Sequence, residues 1–237
     1  PMRYAVVADL HGKRKAWRRV LDDAQRRGAD RIVCLGDYLD AKVPWRSHDS
    51  TTRRDLTDVV ESDPRLWREL AGVDLVLGNQ EWRIRDLLRD EQTAGDLDVL
   101  LAAPETRMIG AATAMHGHQF SWDHGPTRPG WPTVAYPRFA QLPDVPILMV
   151  GHSHQVLLLD LLSLGEPADP TDPTDPAGAV LARRWPVTPG MAIPVDPGSA
   201  RRLLVNVGPA RGKPSCWLLY DDTASELTFH EAVSGRS

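Results

Sequence analysis

The chain of 237 residues carries 28 Lys and Arg against 32 Asp and Glu, a formal net charge of -4, with 42% hydrophobic and 25% charged residues. That is the composition of a soluble globular protein, long enough to bury a core without disulfides or metal staples. The mild acidity argues against an extended nucleic-acid surface, though not against a small nucleotide substrate.

Cys34 and Cys216 form no CxxC pair and read as reduced, near-core thiols. With no basic apolar leader and no apolar run of membrane-spanning length, the expectation is a cytoplasmic protein with no membrane partner. Pro1 before Met2 reads as an addition to a natural start at Met2.

Arg3 to Ala8 (RYAVVA) is a β-rich apolar run followed by Asp9-Leu10-His11-Gly12. Residues 13–27 place Trp17, Val20, Leu21 and Ala24 at helical spacing, and Gly28 supplies a stop. RIVCL (31–35) predicts a second strand ending at Gly36-Asp37, and VDLVL (73–77) a third ending at Gly78-Asn79. Helical patterns lie around 53–61, 64–71, 81–90 and 95–102. This part of the chain alternates strand and helix, as parallel crossover units do.

Residues 106–116 predict two short strands hinged at Gly110. A loop punctuated by proline and tryptophan, with one helical turn, follows from Gly125 to Pro146. PILMV (146–150) is a strand ending at Gly151-His152-Ser153-His154. Runs at 155–162, 179–183, 203–207, 215–220 and 226–231 then fit an antiparallel second sheet. GEPADPTDPTDPAG (165–178) repeats Asp-Pro, which neither a ladder nor a helix accepts, and is expected to be a solvated insertion. The expected fold is one domain over 2–237, of mixed α/β (α+β) class, with two packed β-sheets and helices on the outside.

The polar residues that stand out share a position. Asp9-x-His11, Gly36-Asp37, Gly78-Asn79, His116-Gly117 and Gly151-His152-x-His154 each follow an apolar strand. In sheets with crossover connections, the carboxyl ends of the strands share one edge, where ligands sit. Alone, a Gly-Asp after a strand is a turn and a His-Gly-His a surface loop. Together the segments bring Asp, Asn and His to one cleft, the ligand chemistry of divalent metal ions such as Mn, Fe, Zn or Ni.

These motifs resemble the signature of the calcineurin-like metallophosphoesterase superfamily, which runs D-x-H, GD, GNH(E/D), H and GHxH. Here they stand as DLH (9–11), GD (36–37), GNQE (78–81), HG (116–117) and GHSH (151–154). The resemblance implies a metallo-dependent phosphatase fold and two divalent metal ions, manganese first, with Fe, Zn, Ni or Mg as alternatives. It assigns one ion to Asp9, His11, Asp37 and His154, and the other to Asp37, Asn79, His116 and His152, with Asp37 bridging. Metal-activated attack of water on phosphorus is the reaction it implies. LLVNVGPARGKPSCWLLYDD (203–222) is similar to the ending of the compact bacterial phosphodiesterase subgroup. GDYLD (36–40) is similar to a serine/threonine phosphatase motif but lacks its following Arg-Gly.

Gln80 occupies the position at which most of the superfamily carries a proton-donating His. An amide donates a hydrogen bond but transfers no proton near neutral pH. The resemblance to compact members with a residue other than His here implies phosphodiester or nucleotide hydrolysis, with Asp37, Asn79, Gln80 and His118 as catalytic candidates. The alternatives are a monoesterase or protein phosphatase with a substitute acid from His48, His118 or His124, and a metal-binding scaffold. His48, His124 and Trp122 are substrate-contact candidates, and Trp122 and Trp131 read as stacking rings or as loop packing. Asp40 reads as a turn residue, and Arg83, Arg85 and Arg89 as a solvated helix surface.

Overall fold

Residues alternate between two cores along β1 (Arg3–Val7): Val6 faces one, Ala5 and Val7 the other. A strand buried on both faces belongs inside a covered sheet. The computed structural model, which describes residues 2–89, 95–125, 133–163, 180–198 and 201–233, places β1 in such a sheet.

The first half of the chain continues with α1 (Arg14–Arg26), β2 (Arg31–Cys34), α2 (Leu56–Val59), α3 (Pro64–Ala71) and β3 (Asp74–Leu75). Asp63 caps α3 by accepting from the Leu66 amide, and Pro64 at the first turn leaves no donor wasted. Next come α4 (Asn79–Leu87), α5 (Asp96–Leu101) and the antiparallel pair β4 (Thr106–Ile109) and β5 (Ala112–Met115). The second half contributes β6 (Trp122–His124), β7 (Ala135–Pro137), β8 (Ile147–Val150), β9 (Val156–Ser163) and β10 (Val180–Trp185). It closes with β11 (Ala192–Pro194), β12 (Arg202–Val207), β13 (Ser215–Asp221) and β14 (Glu226–Ala232).

Two six-stranded sheets result, in the orders β11-β14-β13-β1-β2-β3 and β10-β9-β12-β8-β5-β4. Each has three parallel strands, β1-β2-β3 in one and β12-β8-β5 in the other, with antiparallel strands added outside them. Their inner faces meet through Val6, Val33 and Val76 on one side and Ala114, Met149 and Val205 on the other. The outer face of the first sheet is covered by helices through Trp17, Leu70, Ile84 and Leu100. The outer face of the second packs Leu148, Val150 and Leu204 against Phe120, Trp122 and Tyr136. The mixed α/β two-sheet sandwich flanked by helices is thus the fold of this protein.

Three local expectations change. The tail strands do not form one sheet: β13 and β14 extend the first sheet beside β1, while β9, β10 and β12 build the second. The run 73–77 is a strand only over Asp74–Leu75, because Leu77 turns away to bond the Pro104 carbonyl. The loop after Phe120 contains a two-stranded hairpin, β6 with β7, in addition to a helical turn at Phe139–Gln141. The Asp-Pro segment 165–178 and Trp131 lie outside the described residues. No helix among the described residues is long and apolar enough to cross a membrane.

Candidate metal centre

All the ligand-bearing loops leave the carboxyl ends of parallel strands: Asp9 after β1, Asp37 after β2, His116 after β5, His152 and His154 after β8. Asn79 opens α4, just beyond β3. Asp9, His11, Asp37, His152 and His154 adopt positive φ angles between 49° and 68°. For residues with a Cβ this left-handed conformation costs energy and persists only where surroundings enforce it. Backbone bonds do so here, running from His11 to the Asp37 carbonyl, from Gly151 to that of His116 and from Arg211 to that of Asp9.

Glycine lets the loops approach one another. A Cβ on Gly78 would stand 2.2 Å from the Asp37 amide nitrogen and 2.4 Å from Asp37 Oδ1. A Cβ on Gly36 would stand 2.6 Å from the Cα of Gly78. Glu81, fully buried on the first turn of α4, ties the same loops together. Its carboxylate accepts from the amides of Asp37 at 2.9 Å, Leu39 at 2.7 Å and Gly78 at 3.0 Å. Glu81 stands where the predicted helix 81–90 begins, and its acidic place in the GNH(E/D) pattern is the sequence signal for this bracing role.

Asp9, His11, Asp37 and His154 each aim a ligand atom into a space where these atoms lie within 4.8 Å of one another. His11 Nε2 and His154 Nε2 are 3.2 Å apart, and His154 Nε2 is 3.6 Å from Asp9 Oδ1. Asp40 Oδ1 lies 3.2 Å from His11 Nδ1 and accepts a hydrogen bond from its N–H, which leaves the Nε2 lone pair to face inward. Asp40 is therefore a partner of a candidate ligand, not merely a turn residue. Asp9 Oδ2 is buried without a hydrogen-bond partner among the described residues. An orphaned carboxylate oxygen among converging imidazoles is a donor set that suits a divalent cation.

A second convergence adjoins the first. Asn79 Oδ1 is 3.0 Å from both His116 Nε2 and His152 Nδ1, and His116 Nε2 is 3.3 Å from Asp37 Oδ1. His116 Nδ1 donates to the Leu35 carbonyl at 2.7 Å, so in the neutral ring Nε2 holds a lone pair facing two acceptor oxygens. Such a cluster calls for positive charge, as a proton or as a metal ion. Burial depresses His116, but the charge of Asp37 and its hydrogen bond outweigh it and raise the ring to about 9. Burial raises Asp9 to about 6. Burial also opposes ionisation of Asp37, yet His116 and the Gln80 amide hold it down at about 2. His152 and His154 are lowered to about 4, by burial first and then by neighbouring positive charge.

Gln80 sits beside this centre with its Oε1 occupied twice, by the Ala41 amide and by Arg83 Nη1, each at 3.2 Å. Its NH₂ group is thereby turned the other way. A cavity of about 620 Å³ is lined by Gln80, Asn79, His152, His118, Trp45, Trp82, Arg83 and Glu105. His118 packs near His116 and His152, with Nδ1 buried and without a hydrogen-bond partner among the described residues. Arg83 is a correction: it is buried, donating to Gln80 and to the Val43 carbonyl and lying over the Trp45 ring. Helical phase alone did not reveal that the loop at 43–45 would fold across that face of α4. Arg85 and Arg89 are exposed, the latter paired with Asp55.

The remaining candidates spread out. His48 bonds Asp86 at 2.9 Å and stacks between Trp45 and Trp82. Trp122 donates to the Gly117 carbonyl at 2.8 Å and lies 6.2 Å from the His152 ring, outside the cavity lining. His124 is exposed on β6 and does not line the cavity either. Two residues without an assigned role come close. Asn206, at the end of β12, donates to the Gly151 carbonyl and to Ser153 Oγ, fixing the GHSH loop. Arg211 Nη2 is 3.1 Å from His154 Nδ1.

Among solved structures, the chain is similar to a metallophosphoesterase from Sphaerobacter thermophilus, at 23% identity and a TM-score of 0.58, covering 99% of this chain and 89% of that one. It is also similar to the phosphoesterase Yfce from E. coli, at 16% identity and a TM-score of 0.43, covering 98% and 100%. An archaeal phosphodiesterase matches at 11% identity and a TM-score of 0.43, covering 97% and 99%. The first of these shares the fold. No curated protein matches the chain. The family model of the calcineurin-like phosphoesterases matches residues 2–156, which hold every candidate ligand, and the chain belongs to that family of phosphoric ester hydrolases.

Proposed function

We propose that this protein is a binuclear metal-dependent phosphodiesterase acting on a small phosphodiester or nucleotide. Asp9, His11, Asp37 and His154 would hold one divalent ion, and Asp37, Asn79, His116 and His152 the other, with manganese as the first candidate. Such ions supply Lewis acidity for the phosphoryl oxygens and a water acidic enough to act as nucleophile at neutral pH. The chain's own part is to hold the ligands rigidly, through Glu81, Asp40 and Asn206, and to present donors to the cavity. The observation that carries the diester reading is the fixed amide of Gln80: with its oxygen occupied by Ala41 and Arg83, it offers only N–H groups to the cavity. A fixed N–H stabilises developing charge but gives up no proton, which disfavours poor leaving groups most.

A second reading rests on His118, whose Nδ1 has no partner among the described residues and whose place in the cavity lining suits a substitute acid for monoester hydrolysis. One comparison separates the two. With Mn²⁺ the wild type should hydrolyse bis-p-nitrophenyl phosphate faster than p-nitrophenyl phosphate, and bind about two ions per chain by elemental analysis. In Gln80→His the rate on an alkyl monoester such as glycerol 2-phosphate, whose poor leaving group needs a proton, should rise ~10-fold or more, with little change on p-nitrophenyl phosphate. Faster monoester than diester turnover by the wild type, abolished in His118→Gln, would establish the second reading instead.

A further inference from the structure

Three rings form a short stack at the rim of the cavity. Trp45 and His48 lie 6.0 Å apart between ring centroids with planes 16° apart, and His48 and Trp82 lie 5.7 Å apart at 28°. Asp86 Oδ2, 2.9 Å from His48 Nε2, fixes the middle ring, and the Arg83 guanidinium carbon sits 5.0 Å from the centre of the Trp45 ring. The outer rings remain open to solvent, Trp45 at 66% and Trp82 at 39% exposed. Both line the cavity that Asn79, Gln80, His118 and His152 also line.

Isolated exposed apolar residues are ordinary and need no explanation. Here, however, two exposed tryptophans are held in register by a hydrogen-bonded histidine and a buried arginine, so their orientation is set before anything binds. A pre-oriented aromatic surface stacks a planar π-system at little entropic cost. The charge of the rim narrows the choice. Glu105 lines the same cavity with an exposed carboxylate, which repels a second phosphate but accepts from the N–H groups on a base edge. A volume of about 620 Å³ is in the range of pockets that enclose a drug-sized molecule.

We infer that Trp45 and Trp82 form a stacking ledge for the nucleobase of a nucleotide phosphodiester whose phosphate lies at the metal centre. The inference rests on the reading of that centre as a phosphodiesterase and names the substrate class. It predicts selectivity for a diester that carries a base over the same diester without one.

Two chromogenic diesters with a common leaving group test it: thymidine 5′-p-nitrophenyl phosphate and methyl p-nitrophenyl phosphate. The wild-type ratio of kcat/KM should favour the nucleoside substrate. Trp45→Ala and Trp82→Ala should lower that ratio, together by about 5- to 150-fold, and Trp45→Phe should restore most of it. An unchanged ratio, or equal losses on both substrates, overturns the inference; equal losses would mean that the ledge takes the p-nitrophenyl ring.

Binding of adenosine 5′-monophosphate and of ribose 5-phosphate, by calorimetry and tryptophan fluorescence, distinguishes the stacking ledge from the phosphodiesterase activity. A protein that hydrolyses neither diester but binds the nucleotide more than ~10-fold better than the sugar phosphate keeps the ledge and loses the phosphodiesterase. One that hydrolyses methyl p-nitrophenyl phosphate but binds both ligands alike keeps the phosphodiesterase and loses the ledge.

Discussion

Asp40 shows how one exposed side chain can govern a buried one. Its carboxylate, 53% exposed, accepts a hydrogen bond from the Nδ1–H of His11 and so leaves the other nitrogen facing the candidate metal site. Partners of this kind fix ring orientation, and their loss typically weakens metal binding by 10- to 100-fold. Asp40→Ala should therefore raise the Mn²⁺ dissociation constant by ~10- to 100-fold in a calorimetric titration. The melting temperature of the protein without added metal should hardly move, because no buried packing is lost. An unchanged affinity would show that packing alone orients His11. At this scale the candidate ligands that converge here were legible in the sequence, because D-x-H and GHxH carry few other uses. The roles of Asp40 and Arg83 were not, because each depends on a partner 29 or 40 residues away in the chain.

Between elements, the decisive contact is the approach of the β2 loop to the start of α4. Glu81 receives three backbone amides there, and Gly78 gives the space in which Asp37 and Asn79 come together. Gly78→Ala would place a methyl carbon against the Asp37 amide and force the loops apart. The expected cost is about 1–3 kcal/mol of stability, read from denaturant unfolding, with a larger loss of Mn²⁺ binding read by titration. A variant as stable and as metal-competent as the wild type would refute this account of Gly78. The glycines at these strand ends could be read as turns from sequence. That a turn glycine was also a point of contact between loops 42 residues apart could not.

Across the whole molecule, stability should depend on pH through groups at the candidate metal centre and through groups remote from it. His230 on β14 stacks on the buried Trp217 ring, 4.6 Å between centroids, and Trp217 donates to Asp23 on α1. Burial, then the charge of Arg27, lowers His230 to about 4, while Asp23 opposes and Arg3 assists. A histidine whose folded value lies below its unfolded value contributes no penalty above about 6.5 and destabilises the fold as pH falls towards 4. His152 and His154 act in the same direction in that window. His230→Leu should therefore flatten part of the fall in urea midpoint between pH 7 and 4, by about 1–3 kcal/mol at the acid end. A slope identical to the wild type would exclude His230 as a contributor.

By itself the sequence determined the period of most strands and helices, the family, and the residue types at five strand ends. These are local properties, written in spacing and composition. Tertiary structure alone decided that β13 and β14 join the first sheet, because strand pairing is a long-range choice that no local pattern encodes. It also decided which turn residues meet, since the carboxyl ends of β1, β2, β5 and β8 share an edge only after both sheets have packed. The tryptophans obey the same rule. Trp45 and Trp82 are separated by 36 intervening residues, and only the fold sets both rings on one cavity beside Gln80.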